Sequence, residues 1–131
     1  MTPEELLHNE ANRWLVQAKK DLTAAEAVVT VEPSRSLFHS QQAAEKSAKA
    51  FLAYHNVPFR NTHELRELGV QCAKIDTTLA ALIDEAEDLT NDAVAYRYPN
   101  VLQEPDEDEA TAALAKARGL YDQVRTRLGI S

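Results

Sequence analysis

Apolar residues recur at intervals of three and four positions through most of the chain, which is the spacing of one face of an α-helix. Near the start, Thr2 as N-cap, Pro3 at the first helical position and Glu5 of a capping box mark where the first helix begins. Its stripe consists of Leu7, Ala11, Trp14, Ala18, Leu22, Ala25 and Val29. The pattern predicts a long amphipathic helix whose apolar face another helix must cover.

A second helix is predicted after Pro33, which ends the first segment. Ser34 can cap this helix, which extends to about His55. Its main stripe is Leu37, Gln41, Ala44, Ala48 and Phe51. Because the connection between the two helices is short, we expect them to be antiparallel neighbours.

Two further helices follow the break at Pro58. Thr62 is a candidate N-cap for a short helix from His63 to about Ala73. Asp76 caps a longer helix whose stripe is Leu79, Leu82, Ile83, Ala86 and Leu89.

A less regular passage covers residues 90–110, since Pro99 and Pro105 interrupt helical structure. The last helix begins near Asp106 and extends to about Leu128, with Gly129 as its C-terminal stop. The run "DEDE" at its start suits a helix N-terminus, where the dipole stabilises negative charge. We therefore interpret that run as helix capping and not as an acidic binding tail.

These elements predict an all-α protein: an up-and-down four-helix bundle with an additional short helix, in one domain covering residues 1–131. A chain of 131 residues with 44% hydrophobic residues is large enough for one compact core. Only three glycines are present, which also favours helix.

Cysteine content and hydropathy indicate the cellular compartment in which we expect the protein. Cys72 is the single cysteine, so no intramolecular disulfide forms, and we expect it to pack in the bundle rather than act as a nucleophile. No run approaches the roughly 18 apolar residues that span a bilayer, and the start lacks the features of a signal peptide. We expect a cytoplasmic protein with no membrane contact, no metal and no resident cofactor.

The charge distribution points to one segment. The formal net charge of -7 disfavours nonspecific nucleic-acid binding, which needs many cations. Residues 35–63, however, contain four basic residues and one acid, together with three of the four histidines. If the protein binds an anion, this segment is where we expect the site.

The predicted second helix carries a polar stripe in that segment. Gln42, Glu45 and Lys49 follow one another at spacings of three and four, and His39 and Lys46 flank them. The stripe is either a solvated edge with a Glu45–Lys49 ion pair, or one wall of a site.

Two other clusters are candidates. His63, after the capping Thr62 and close to Arg60, can present an imidazole beside free backbone N–H groups, a place that attracts phosphate. The alternative is a partly exposed histidine in a connection.

The stretch "AYRYP" places Tyr96 and Tyr98 on either side of Arg97, a composition suited to aromatic stacking and a directed guanidinium. Alternatively, the tyrosines cover the bundle and Arg97 pairs with an acid such as Glu45.

Taken in order, "QQAAEKSAKAFL", "THEL" and "YRYP" resemble the HEPN family, named for nucleotide binding in higher eukaryotes and prokaryotes. The resemblance covers nearly the whole chain. It implies a bundle of four to five helices, frequently a homodimer, often encoded beside a minimal nucleotidyltransferase. Family members have been associated with nucleotide binding, and many are metal-independent ribonucleases of toxin–antitoxin pairs.

The resemblance also implies which residues matter. The positions that match the family's motifs are Gln42, Glu45, Lys46 and Lys49 of the helix-two signature, Thr62 and His63 of the Thr-His pair, and Arg97, Tyr98 and Pro99 of the Arg-Tyr-Pro element. With Tyr96 as a second stacking residue, these predict a site for a nucleotide or similar phosphate ligand.

One departure affects the predicted activity. Ribonuclease members carry an arginine followed, after four to six residues, by a histidine. Here three residues separate Arg35 from His39, two separate Arg60 from His63, and no histidine follows Arg97. Nuclease activity is therefore the second hypothesis, and it would depend on His63 and Arg97.

The leading hypothesis is a noncatalytic, homodimeric bundle that binds a nucleotide and acts with a nucleotidyltransferase. A third is a pure interaction module in which the polar stripe is a dimer contact.

Overall fold

The computed structural model describes residues 1–59, 64–95 and 104–130, and for residues 89–95 it describes the backbone alone. Four long helices and one short helix form in these parts of the chain, and no strand does. They are α1 (Pro3–Val28), α2 (Pro33–Tyr54), α3 (Leu65–Ala73), α4 (Thr77–Ala95) and α5 (Glu107–Leu128). The predicted all-α class is confirmed.

The start of α1 is the predicted one, because Thr2 Oγ1 accepts a hydrogen bond from the Glu5 N–H at 3.1 Å. Its buried stripe is Ala11, Leu15, Ala18, Leu22 and Ala25. The predicted stripe had Trp14 where the structure has Leu15. The observed stripe alternates steps of four and three residues, which rotates it past Trp14 and leaves the indole half-buried at its edge.

The start of α2 differs from the prediction. Glu32 is the N-cap residue, it makes no side-chain capping hydrogen bond, and Pro33 lies in the first turn. Proline suits that position because its φ is preset and its missing N–H would have no helical partner. The prediction that Ser34 caps α2 was therefore wrong. Pro33 was predicted only to end the first helical segment, and in the structure it begins α2.

Pairwise contacts show that α1 and α2 are antiparallel, as predicted. The order of partners along one helix is reversed along the other: Ala25 with Ser36, Asp21 with His39, and Trp14 with Lys49. Small residues let the two backbones approach closely. Ser36 Oγ, which is buried, donates to the Ala25 carbonyl at 2.8 Å.

The second helix lies at the centre of the fold, because it contacts each of the other four helices. Its C-terminal half is buried on nearly every side, from Ala43 to Leu52 with only Lys46 half-buried. Polar groups in that half are therefore removed from water along with the apolar ones.

The third helix begins at Leu65 with Glu64 at its N-cap, two residues later than predicted. Leu65, Leu68 and Cys72 form its buried face, so packing against the core sets where it begins. Thr62 and His63, the predicted cap and first residue, lie outside the described residues. The fourth helix continues to Ala95, so the first part of the passage predicted to be irregular is helical.

Both ends of α5 are as predicted. Asp106 and Glu109 form a reciprocal capping box, with Asp106 Oδ1 accepting from the Glu109 N–H at 2.8 Å. Gly129 ends the helix with φ of 66°, a left-handed conformation that glycine adopts without a Cβ penalty.

Asp76 joins the start of α4 to the end of α5. Its Oδ1 accepts from the Thr78 hydroxyl at 2.6 Å, from the Thr78 N–H at 3.0 Å and from the Leu79 N–H at 3.1 Å. Its Oδ2 accepts from Arg127 Nε at 2.8 Å. The Thr78 hydroxyl, then Arg127, then the Leu79 N–H hold the pKa of Asp76 well below its ordinary value. The predicted cap is thus also an interhelical tie.

Replacing Asp76 with Asn should lower stability at pH 7 and make stability less sensitive to acid. A carboxyl whose pKa is depressed on folding contributes fully above its unfolded pKa of about 4, and that contribution is lost as the pH falls towards the lower folded pKa. Denaturant unfolding from pH 7 to pH 2 should show the two proteins converging below about pH 4. Asp122→Asn, which alters only an i,i+3 pair with Arg125 at 3.5 Å, is the control. A constant gap between Asp76→Asn and the parent across this range would contradict the prediction.

Candidate functional site

The polar stripe of α2 is not a solvated edge. Glu45 is 1% exposed and Lys49 is 3% exposed, while Gln42 and Lys46 are half-buried. The alternative of a Glu45–Lys49 pair on a wet face is therefore wrong. The stripe is buried because α2 lies at the centre of the fold, where the other helices cover residues that would face water on an outer helix.

Lys49 lies against an aromatic side chain of α1. Its Nζ is 5.2 Å from the centroid of the Trp14 ring, within the range of a cation–π interaction. The Trp14 ring also meets the edge of Phe59, with 5.9 Å between centroids and 64° between planes. Phe59 is the last described residue before Arg60, so that connection begins beside the indole.

The surroundings of Lys49 have opposing effects on its pKa. Burial lowers the pKa of Lys49 from its ordinary value, Glu45 one turn earlier raises it, and Lys46 lowers it again. Desolvation is the largest of these effects. The ammonium group is thus less stable in its charged form than a lysine in water, and an added negative charge would favour that form.

Lys46 has a different environment, because Asp21 of α1 binds it. The Lys46 ammonium donates to Asp21 Oδ2 at 2.6 Å, and the other carboxylate oxygen lies 2.9 Å from His39 Nδ1. Asp21 is 12% exposed and His39 is 31% exposed. With Nδ1 directed at a carboxylate, Nε2 is the nitrogen of His39 that is left for other partners.

Four of the nine predicted ligand-binding residues lie in the described part of the chain. Gln42, Glu45, Lys46 and Lys49 lie within about two turns of α2. The other five, Thr62, His63, Tyr96, Arg97 and Tyr98, lie outside it. Convergence of the three motifs in one cleft, and the alternative pairing of Arg97 with Glu45, stay predictions.

Sequence patterns missed two residues that contact the stripe. Asp21 is an acid one position before Leu22 of the buried stripe, and the antiparallel register of α1 and α2 brings it to His39 and Lys46. Trp14 was assigned to the apolar stripe. It also lines a surface cavity of about 360 Å³, whose described lining residues are Glu10, Asn12, Arg13, Trp14, Val16 and Gln17.

Cys72 packs in the core, as predicted. It is fully buried, and its Sγ lies 4.0 Å from the Ala48 carbonyl oxygen. Burial, with a smaller effect from Asp76, raises the pKa of the thiol to about 12. A thiol with such a pKa is protonated at neutral pH and is a poor nucleophile.

The described residues offer neither a metal cluster nor a membrane-spanning helix. No group of three or more His, Cys, Asp or Glu side chains there is arranged to hold a metal ion. None of the helices, over the same residues, combines the length and the apolar character that crossing a membrane requires.

The all-helical fold agrees with the family that the motifs resemble. The family model for the HEPN domain matches residues 11–127, most of the chain, from the middle of α1 to the last turn of α5. The protein belongs to the HEPN family. Comparisons with curated proteins and with solved structures gave no match.

Asp21→Asn should destabilise the protein by about 1–2 kcal/mol, because two partly buried groups lose the charge of their shared acceptor. Asparagine keeps the shape of the side chain, so packing is little changed. Urea unfolding at pH 7 measures the loss. Glu10→Gln is the matched control, since its pair with Arg13 is exposed and should contribute less than about 0.5 kcal/mol. Equal effects of the two substitutions would show that Asp21 does not join α1 to α2.

Proposed function

We propose that this protein is a noncatalytic, homodimeric HEPN bundle that binds a nucleotide or a related phosphate-bearing ligand. It acts with a minimal nucleotidyltransferase in a module of the toxin–antitoxin type. Membership of the HEPN family supports both parts, and the partner and the dimer depend on that membership alone. The observation that carries the ligand part is the buried Lys49, whose Nζ lies 5.2 Å from the centroid of the Trp14 ring.

Lys49 suits a phosphate for an electrostatic reason. Its ammonium has already lost most of its hydration, so a ligand pays little further desolvation of that group. A phosphate oxygen can accept a charge-assisted hydrogen bond from it, which is stronger in a dry environment than in water.

Titration calorimetry with ATP should show binding, and Lys49→Met should weaken it about tenfold or more, because one charge-assisted hydrogen bond is lost. Methionine is close to lysine in length and keeps the contact with Trp14, and circular dichroism checks that the variant is folded. Lys74→Met removes an exposed lysine after α3 and should bind ATP like the parent. Absence of heat at millimolar ATP, with or without a nucleotidyltransferase partner, would refute the ligand proposal.

A metal-independent ribonuclease is the second candidate, and the Asp21–His39 pair favours it. A carboxylate on Nδ1 orients an imidazole and leaves Nε2 to act, which is how general bases are held in hydrolytic sites. Arg35 lies one turn before His39 on the same helix. In the ribonuclease candidate the general base is His39. The sequence motifs favour His63, which is the alternative for that role.

RNA incubated with the purified protein and EDTA tests this candidate. If the protein cleaves RNA through His39, His39→Ala should lower the rate about a hundredfold or more, the usual contribution of a general base. His8→Ala, at an exposed position of α1, should have no effect. Cleavage that survives His39→Ala but not His63→Ala would assign the role to His63, and an inert protein would remove the candidate.

A further inference from the structure

Trp14 is held in a fixed position at the surface of the bundle. It is the chain's single tryptophan, and it is half-buried beside the core that Leu15 fills. The Lys49 ammonium lies over its ring, and the edge of Phe59 meets it from the connection after α2. These two contacts restrict the ring, so a flat ligand that met it would not have to order it first.

The ring also borders empty space. The cavity of about 360 Å³ has Trp14 in its lining, together with Glu10, Arg13 and Gln17 among the polar side chains of α1. That volume lies within the range of small-molecule pockets, which combine an aromatic or apolar surface with a few polar groups. A carboxylate, a guanidinium and an amide are available there to meet the edge of a heterocycle.

We propose that Trp14 is the stacking platform for the base of the bound nucleotide. This inference depends on the proposed function, because it names how the same site recognises its ligand. Aromatic rings stack with any nucleobase, and purines offer the larger surface, so we expect a purine nucleotide to bind more tightly than a pyrimidine nucleotide. Lys49 lies 5.2 Å from the same indole, which brings a phosphate contact and a base contact within one ligand.

The charges around the cavity set the orientation of that ligand. Glu10 repels phosphate and can accept hydrogen bonds from an amino group of the base, so the base faces α1. In this orientation the phosphates face Lys49 of α2. Arg13, whose side chain is 79% exposed, forms an ion pair with Glu10 at 3.2 Å.

Tryptophan fluorescence reports directly on this contact, because no other tryptophan contributes to the signal. ATP should quench the emission of the intact protein in a saturable way, with the same dissociation constant that calorimetry gives. Adenosine, which lacks phosphates, should also quench it, but with at least tenfold weaker affinity. Inorganic phosphate alone should leave the emission unchanged.

Variants separate stacking from an indirect change in fluorescence. Trp14→Leu should weaken ATP binding about tenfold by calorimetry, and Trp14→Phe should restore most of the affinity. Tyr121→Leu is the matched control, because it removes another ring held under a cation, Arg125 at 5.3 Å on α5, and should bind ATP normally.

The possible outcomes distinguish this inference from the proposed function. Calorimetric binding of ATP with unchanged fluorescence would overturn the stacking role and leave the proposed function standing. Equal affinities of Trp14→Leu and the parent would do the same. No calorimetric binding would refute both. If Trp14→Leu does not fold, the fluorescence titrations of the parent protein and of adenosine decide the question.

Discussion

The enclosure of α2 by the other four helices is the constraint on which the rest of the structure depends. The C-terminal half of α2 loses water from nearly every side, and a buried polar side chain anywhere on the helix is more stable with a partner inside the protein. Ser36 and Ser47 meet this demand through backbone carbonyls, at 2.8 Å in both cases. The charged residues need stronger compensation than one hydrogen bond, because an ionised group loses far more hydration than a hydroxyl.

Helix ends were predictable where a side chain supplies the cap. Thr2, Asp76 and Asp106 accept backbone N–H groups within three residues of themselves, and Gly129 supplies a positive φ, so local chemistry alone identifies them. Glu32 and Glu64, at the starts of α2 and α3, make no capping hydrogen bond. The predicted cap Ser34 was wrong, and the predicted cap Thr62 lies outside the described residues. Pro33 sets the start of α2, and the buried Leu65 sets the start of α3. The position of Leu65 is decided by tertiary packing.

The α2 stripe could be found from its spacing, but its burial could not. Spacing places Gln42, Glu45 and Lys49 on one side of a helix. Whether that side is exposed to solvent depends on which other helices pack against it. Asp21 and Trp14 were missed for the same reason: their roles follow from the register of α1 against α2, with Asp21 opposite His39 and Trp14 opposite Lys49. The buried stripe passes through Leu15 and not through Trp14, and this difference of one position moves Trp14 from the predicted core to the edge of a surface cavity.

The two lysines of the stripe show how the same constraint permits different functions. Lys46 is neutralised by a carboxylate at 2.6 Å, and that carboxylate would compete with any incoming phosphate. Lys49 is held against an indole, which attracts the cation through its quadrupole but carries no net charge to repel an anion. A buried charge is weak support for stability, since apolar residues of similar volume often serve as well or better. The proposed ligand accounts for a charge at the centre of the fold, and Lys49 suits it better than Lys46, which would first have to break its ion pair with Asp21 of α1.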